Sequence, residues 1–405
     1  MCERGNKEIK TMKTVLCLGA SIMQIEAIKK AKEIGYHVVA VDYDKHAVGR
    51  TLADEFFEVS TIDAEAVLEV AKKCHIDGVV TVATDMPVRT AAVLSESLGI
   101  PGLSRKVALK ATDKIEMIKA FRKNEVPSPQ FWIVNSEEEF QNIKKEFIYP
   151  VIFKPQESSG SRGVILVKKA DDIENAYEYT KSFSKTGKIL VEEYLEGPEV
   201  SVEVICENGE AHILTITDKL TTGAPYFVEM GHCQPTAFKE EVRKEIEAVA
   251  ESAIRAIGIE NGPVHVEMKV TKQGPKMIEL GARMGGDFIT THLVPLSTGI
   301  DMMKLVIQNA CGEKIEIPKN QNLGSAIRFF SGDIGKMEGI SGIDEARTVE
   351  GVKYVLQFKE NGSCITDVHN SLDRVGCVIA QGKSNEEAME ICEKVLEKIK
   401  VRVSK

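Results

Sequence analysis

No apolar run in this chain approaches the roughly 18 residues that a membrane-spanning helix requires, so a membrane partner is not expected. Residues 1–13 are polar, and the Val15-Leu-Cys-Leu run that follows is cut short by Gly19, too soon for a secretory leader. The nine cysteines include no Cys-x-x-Cys pair and are scattered through apolar segments. That spacing argues against a zinc cluster or a disulfide framework and fits reduced core thiols of a cytoplasmic protein. Positive charge is also scarce: 52 lysines and arginines face 61 aspartates and glutamates, a net charge of −9. No nucleic-acid partner is expected from such a balance. There is no internal repeat and no low-complexity linker. The first strand is followed by Gly19-x-Ser21-x-x-Gln24, which lacks the second and third glycines of a dinucleotide fingerprint. Asp42, the residue that would meet a ribose in such a fold, therefore has no fingerprint to serve.

What is present indicates a multidomain α/β protein. A chain of 405 residues exceeds what one hydrophobic core supports, so two or three domains are expected. Thr14-Val-Leu-Cys-Leu, a helical pattern over 23–34 and Gly35-Tyr-His-Val-Val-Ala-Val-Asp42 make a βαβ opening. A helix over 64–74 and a strand from Asp77 continue it. Asp113-x-x-Glu116 predicts a cap for a helix that begins at Lys114. Pro127-x-Pro129 and the box Ser136-Glu-Glu-Glu139 mark the entry to a small subdomain over 126–194. Ser384-Asn-Glu-Glu387 predicts a cap for a last amphipathic helix with Met389, Cys392, Val395, Leu396 and Ile399 inward.

The chemistry concentrates in His265-Val-Glu267-Met-Lys-Val and Met277-Ile-Glu279-Leu-Gly-Ala-Arg283-Met-Gly-Gly286. Val264, Val266, Met268 and Val270 form the apolar set of the first run, so Glu267 faces the other way. A turn at Lys272-Gln-Gly274 should fold the second run back antiparallel and set Glu267 beside Glu279. Two like charges so placed repel unless a cation lies between them, and an oxygen-only site suits magnesium with substrate phosphates. Arg283 adds a rigid fork for phosphate oxygens. The plain alternative is a pair of solvated glutamates on an open sheet face. Upstream, Tyr149-Pro-Val-Ile-Phe-Lys154 runs into Gln156-Glu-Ser-Ser-Gly160-Ser161-Arg162-Gly163, and a strand resumes at Val164. Strand, Gly/Ser turn and strand cannot form a P-loop, which opens a helix, yet backbone N–H groups of such a hairpin can cover phosphates. His232-Cys233 is no catalytic dyad, since neighbours on a strand point to opposite faces. The same alternation groups His232 with Val228 and Met230 and sets it apart from Phe227, Glu229 and Gly231.

In order and spacing, Lys154, the Ser-Ser-Gly-Ser-Arg-Gly loop, Glu192-Glu193-Tyr-Leu-x-Gly-x-Glu199, Glu267 and Glu279-x-x-x-Arg283 resemble the ATP-grasp superfamily. The resemblance implies an α/β ATP-grasp fold with a Rossmann-like domain over 1–112. It further implies a lid subdomain with a linker helix over 113–195. A large subdomain over 196–405 would end in a biotin-carboxylase-like sheet. It implies ATP and magnesium, with manganese as a substitute. Lys114 and Lys154 would face the phosphates and Ser159, Gly160 and Ser161 would cover them. Glu192, Glu193 and Leu195 would border the adenine and Glu199 the ribose. Glu267 and Glu279 would hold the metal, and Arg283, with Lys154, would steady the transferred phosphoryl group. One departure stands out: Gly281 occupies the place of an asparagine found in many members.

Phe227-Val-Glu-Met-Gly-His232-Cys-Gln-Pro and the Gly285-Gly286-Asp287 continuation further resemble bacterial L-amino acid ligases. That likeness implies a carboxylate–amine ligase acting on amino acids through an acylphosphate. His232, Arg283, Gly285 and Gly286 would be its substrate contacts, and a homodimer is left open. The alternatives are a carboxylase-like or purine-pathway member of the superfamily, or an ATP-binding regulatory module without turnover.

Overall fold

The near-continuous apolar runs at the start of the chain become strands buried on both faces, as parallel sheets require. Thr14–Leu18, His37–Asp42, Glu55–Glu58 and Gly78–Val80 form a parallel sheet in the order third, second, first, fourth. Val15, Cys17, Val38 and Ala40 serve the core on one side, and Leu16, Leu18, Val39 and Val41 the core on the other. The Asp42 carboxylate accepts from Ala20 N at 2.8 Å and from Asp44 N at 3.0 Å, so it shapes the loops at the strand ends. The structure is a computed structural model that describes residues 12–157, 160 and 162–404.

Helices Arg105–Thr112 and Lys114–Lys123 follow, hinged at Asp113, whose side chain caps the second by accepting from Ile115 N and Glu116 N. Both pack on the central sheet, where Ile115, Ile118 and Phe121 join Val200, Val202, Val264 and Val266 beneath helix Glu240–Ile257. A small antiparallel sheet, in the order Phe131–Val134, Ile189–Glu193, Val151–Pro155, Ile165–Val167, stands apart with its own core. Phe140 and Tyr177 stack at 4.1 Å to fill that core. Ser136 caps helix Glu137–Ile143 through Glu139 N, as its spacing predicts.

The central sheet is antiparallel throughout. Its eight strands run Gly274–Gly281, Gly262–Thr271, Glu199–Glu207, Glu210–Thr221, Glu229–Gln234, Gly324–Phe330, Gly376–Gly382, Val352–Gln357. A three-stranded sheet with helix Asn385–Leu396, capped by Ser384, completes the C-terminal part. Cys392, Val395 and Ile399 are buried there, with Met389 and Leu396 partly so.

Candidate active site

One face of the central sheet is apolar and seals the core; the other carries nearly every ionisable group of the site. Register places them. Glu199 pairs across the sheet with Lys219 and Lys269, Ser201 with Thr217 and Glu267, and Glu203 with His265. Two irregularities complete the set. Counting back from Thr271 opposite Gly274, an unbroken ladder would oppose Glu267 with Ile278; an extra residue on the second strand brings Glu279 opposite Glu267 instead. The expected neighbourhood of the two glutamates is therefore present, and a bulge produces it. A second irregularity sets Gly231 opposite Leu220 but Glu229 opposite Thr221, with Met230 extra. Simple alternation separates Glu229 from His232; the bulge corrects that expectation and turns both into one cavity.

Two cavities adjoin on this face. The first, of about 830 Å³, lies between the small and central sheets. Ile152, Val164, Leu195, Phe227 and Ile278 give it an apolar slot, next to Glu192, Glu193 and Glu199. Lys154 Nζ meets buried Glu192 at 2.5 Å, and Lys114 Nζ meets Glu279 at 2.7 Å. Glu193 accepts from Gln130 N at 3.1 Å. Gly160 lines both cavities, whereas Ser159 and Ser161 lie outside the described residues. The second cavity, of about 1110 Å³, holds His232, His265, Arg283, Gly286 and Asp287 and shares Glu229, Glu267 and Glu279 with the first.

Charge is tightly paired. Lys219 reaches Glu199 at 2.7 Å, Glu267 at 3.3 Å and Glu229 at 3.6 Å. Burial alone would lower its pKa, but these carboxylates hold it well above the usual value. His265 bridges Glu203 and Glu267, each at 3.0 Å. Glu267 is partly buried, and desolvation would raise it, yet Lys219 and His265 keep it well below the ordinary carboxylate range. Glu229 behaves oppositely: burial, with Asp287 and Glu267 near, pushes it up in spite of the Lys219 ammonium 3.6 Å away. Arg283 Nε donates to Asp85 Oδ1 at 2.6 Å, so a residue of the N-terminal domain aims the arginine. Gly281 matters here, because a Cβ at that position would lie 3.2 Å from the Arg283 guanidinium carbon. Gly285 packs where a Cβ would sit 2.7 Å from His265 Nδ1, while Gly286 opens onto the cavity.

His232 is buried, its Nδ1 without a hydrogen-bond partner and its Nε2 3.5 Å from Asp287. Asp287 in turn takes a two-pronged bond from Arg374, at 2.8 and 2.7 Å, and Arg374 lies over the Phe329 ring at 3.8 Å. Motif reading passed over Lys219, Arg374 and Asp85, and gave no role to Glu229, His265 and Asp287, which stand inside the motifs. A polar residue at every second position, Thr215-x-Thr217-x-Lys219, is a signal that places Lys219 on the wet face. Nothing local announces Arg374.

Among the described residues no group of three or more His, Cys, Asp and Glu side chains could hold a metal unaided. Glu267 and Glu279 still fit magnesium, a hard cation that takes one or two carboxylates and completes its shell with phosphate oxygens and water.

Comparison with known proteins bears on the same residues. Residues 147–292 match the ATP-grasp domain family, and residues 328–404 match the family described as L-amino acid ligase C-terminal domain 2. The chain is 28% identical over 278 residues to the alanine–anticapsin ligase of Bacillus subtilis, spanning 63% of this chain and 58% of that ligase. It is 26% identical over 404 residues to the formate-dependent phosphoribosylglycinamide formyltransferase of Saccharolobus solfataricus, spanning 96% and 97% of the two. A solved L-amino acid ligase from Bacillus licheniformis shares the fold, with a TM-score of 0.85 at 24% identity over 97% of this chain and 99% of that one.

Proposed function

We propose that this chain, whose residues 147–292 match the ATP-grasp domain family and 328–404 the L-amino acid ligase C-terminal domain 2, is a carboxylate–amine ligase that joins two amino acids at the expense of ATP. One observation carries this reading. The nucleotide cleft and the substrate cavity meet at Glu229, Glu267 and Glu279, so a carboxylate held in the second lies beside phosphates held in the first. A carboxylate oxygen of the first substrate attacks the γ-phosphorus, and the bond to the ADP oxygen breaks. The amine nitrogen of the second substrate then attacks the acyl carbon, and phosphate leaves with the electron pair of the broken C–O bond. Phosphoryl transfer of this kind asks for positioning and charge neutralisation. Lys114, Lys154 and Arg283 supply fixed positive charge. Magnesium, or manganese, held by Glu267 and Glu279 would neutralise the phosphate oxygens. The small sheet excludes water from an intermediate that water would destroy.

Phosphate release from ATP should depend on magnesium and on a pair of L-amino acids, with the dipeptide mass appearing alongside. Chelation should stop it, and added magnesium or manganese restore it. No release with any pair, under conditions where ATP binds, would point to the non-catalytic module instead. The end-to-end alignment with the formyltransferase supports a second reading, in which a small acid such as formate is activated; formate-dependent release without amino acids would favour it.

His232→Ala should raise the KM for the carboxylate substrate about tenfold, since an unpaired anion in a partly desolvated site costs about 1–3 kcal/mol. The KM for ATP should hold. A rise in the ATP KM alone would assign His232 to the nucleotide.

A further inference from the structure

Glu203 is wholly buried, and the ligase chemistry does not use it. Taking a carboxylate out of water is costly unless its oxygens are bonded, so a buried one has partners that hold it in place. Ser201 Oγ donates to its Oε1 at 2.8 Å, and His265 Nδ1 stands 3.0 Å from both of its oxygens. The other ring nitrogen, Nε2, is 3.0 Å from Oε1 of Glu267. An ionised carboxylate only accepts, so the imidazole between the two donates at each end.

Register builds this chain of three. Glu203 lies directly opposite His265, and Ser201 opposite Glu267, on neighbouring strands. His265 and Glu267 are two residues apart on one strand and so share its polar face. His265 is itself 4% exposed, with Gly285 packed on it. A Cβ at position 285 would lie 2.7 Å from His265 Nδ1 and 3.1 Å from Glu203 Oε2, so any side chain there would push into the pair. On the other side, Lys219 Nζ lies 3.3 Å from Glu267 Oε2. Both oxygens of Glu267 are therefore held, and the plane of its carboxylate is set by the protein alone.

Resting on the magnesium-dependent ligase reading above, we infer that Glu203 and His265 are positioning residues, which present the Glu267 carboxylate to the divalent cation in one orientation. Gly285 is then a glycine so that the backbone can close over the pair, and its task is packing, not substrate contact. Groups that orient a metal ligand from behind are worth a factor of about 10–100 in metal affinity.

The test reads manganese binding instead of turnover. Mn2+ is titrated by electron paramagnetic resonance into protein saturated with ADP, and metal-free ADP affinity is measured by calorimetry in EDTA. His265→Asn keeps a donor near the place of Nδ1 but cannot reach Glu267, and Mn2+ affinity should fall about tenfold or more. His265→Gln sets its amide nitrogen near the place of Nε2 and should hold Mn2+ affinity within about threefold of the wild type. Gly285→Ala removes no donor but crowds the pair, and should weaken Mn2+ about tenfold. It carries the test if urea unfolding shows that His265→Asn does not fold. Metal-free ADP affinity should be unchanged in all three. Wild-type Mn2+ affinity in His265→Asn or in Gly285→Ala overturns the inference. Equal weakening by His265→Asn and His265→Gln overturns it too, because packing or lost charge, and not the bond to Glu267, would then be responsible. Glu279→Gln separates this inference from the reading beneath it. If that variant also binds Mn2+ like the wild type, the metal assignment falls and the positioning role with it; if it alone weakens Mn2+, only the positioning role falls.

Discussion

Glu279→Gln should lower amino-acid-dependent phosphate release at least a hundredfold while the protein stays folded. Glutamine keeps the length of the side chain and the bulge that sets residue 279 opposite Glu267. It removes one of two facing negative charges, and with it the reason for a divalent cation to sit there. Fixed charge at a phosphoryl-transfer centre is commonly worth a factor of about 10²–10³. The stability cost should be modest. Glu279 is partly exposed but its partner Lys114 is mostly buried; glutamine can still accept from the lysine, so the lost charge should cost about 1–3 kcal/mol. Magnesium titration of the variant, read by phosphate release beside urea unfolding, separates the two effects. Wild-type turnover in Glu279→Gln would sink the metal assignment.

Asp287→Ala should instead destabilise the fold, by about 3 kcal/mol, because it strands a buried guanidinium. Arg374 is 6% exposed, lies on Phe329 and spends two N–H groups on Asp287. Its remaining bonds go to Glu229 O and Ser371 O, which cannot neutralise it. Asp287→Ala/Arg374→Met removes both charges and should recover much of the loss. Urea midpoints of the two variants make the comparison; equal destabilisation by single and double variants would mean the pair is not what holds this corner. The same pair has a pH signature. Burial would raise the Asp287 carboxyl, but Arg374 and His232 hold it well below the usual range. The folded pKa is depressed, so the stabilisation is complete above the unfolded carboxylate value of about 3.9 and is lost as pH falls below it.

Periodicity carried the sequence reading as far as local physics extends. The buried parallel strands, the caps at Asp113, Ser136 and Ser384, and the antiparallel return at Lys272 are all short-range features, and each is present. The bulges at Ile278 and Met230 are different. Nothing in those residues demands an extra position; packing of Met277 and Leu280 into the core on one side, and of Met230 against Ile327 and Phe329 on the other, decides it. Alternation therefore misplaced Glu229; for the other bulge parity offered a hint, since Glu267 and Glu279 fail to align when counted from their own turn. Long-range pairs were out of reach altogether. Asp287 and Arg374 are 87 residues apart, and Asp85 and Arg283 are 198 apart. Motif resemblance could supply Arg283 but not what aims it.

The Asp85–Arg283 bond, with the bridge between Val82 and Met284 beside it, has a bearing on how this enzyme can be re-engineered. The first hundred residues read as a detachable module, a natural cassette to exchange. The aim of the arginine is a joint property of both pieces. A transplanted module needs an acid at the place of Asp85 and a strand end that can seat against Met284, whatever else it brings with it. Chimeras that lack either should fold and take up nucleotide, then turn over poorly.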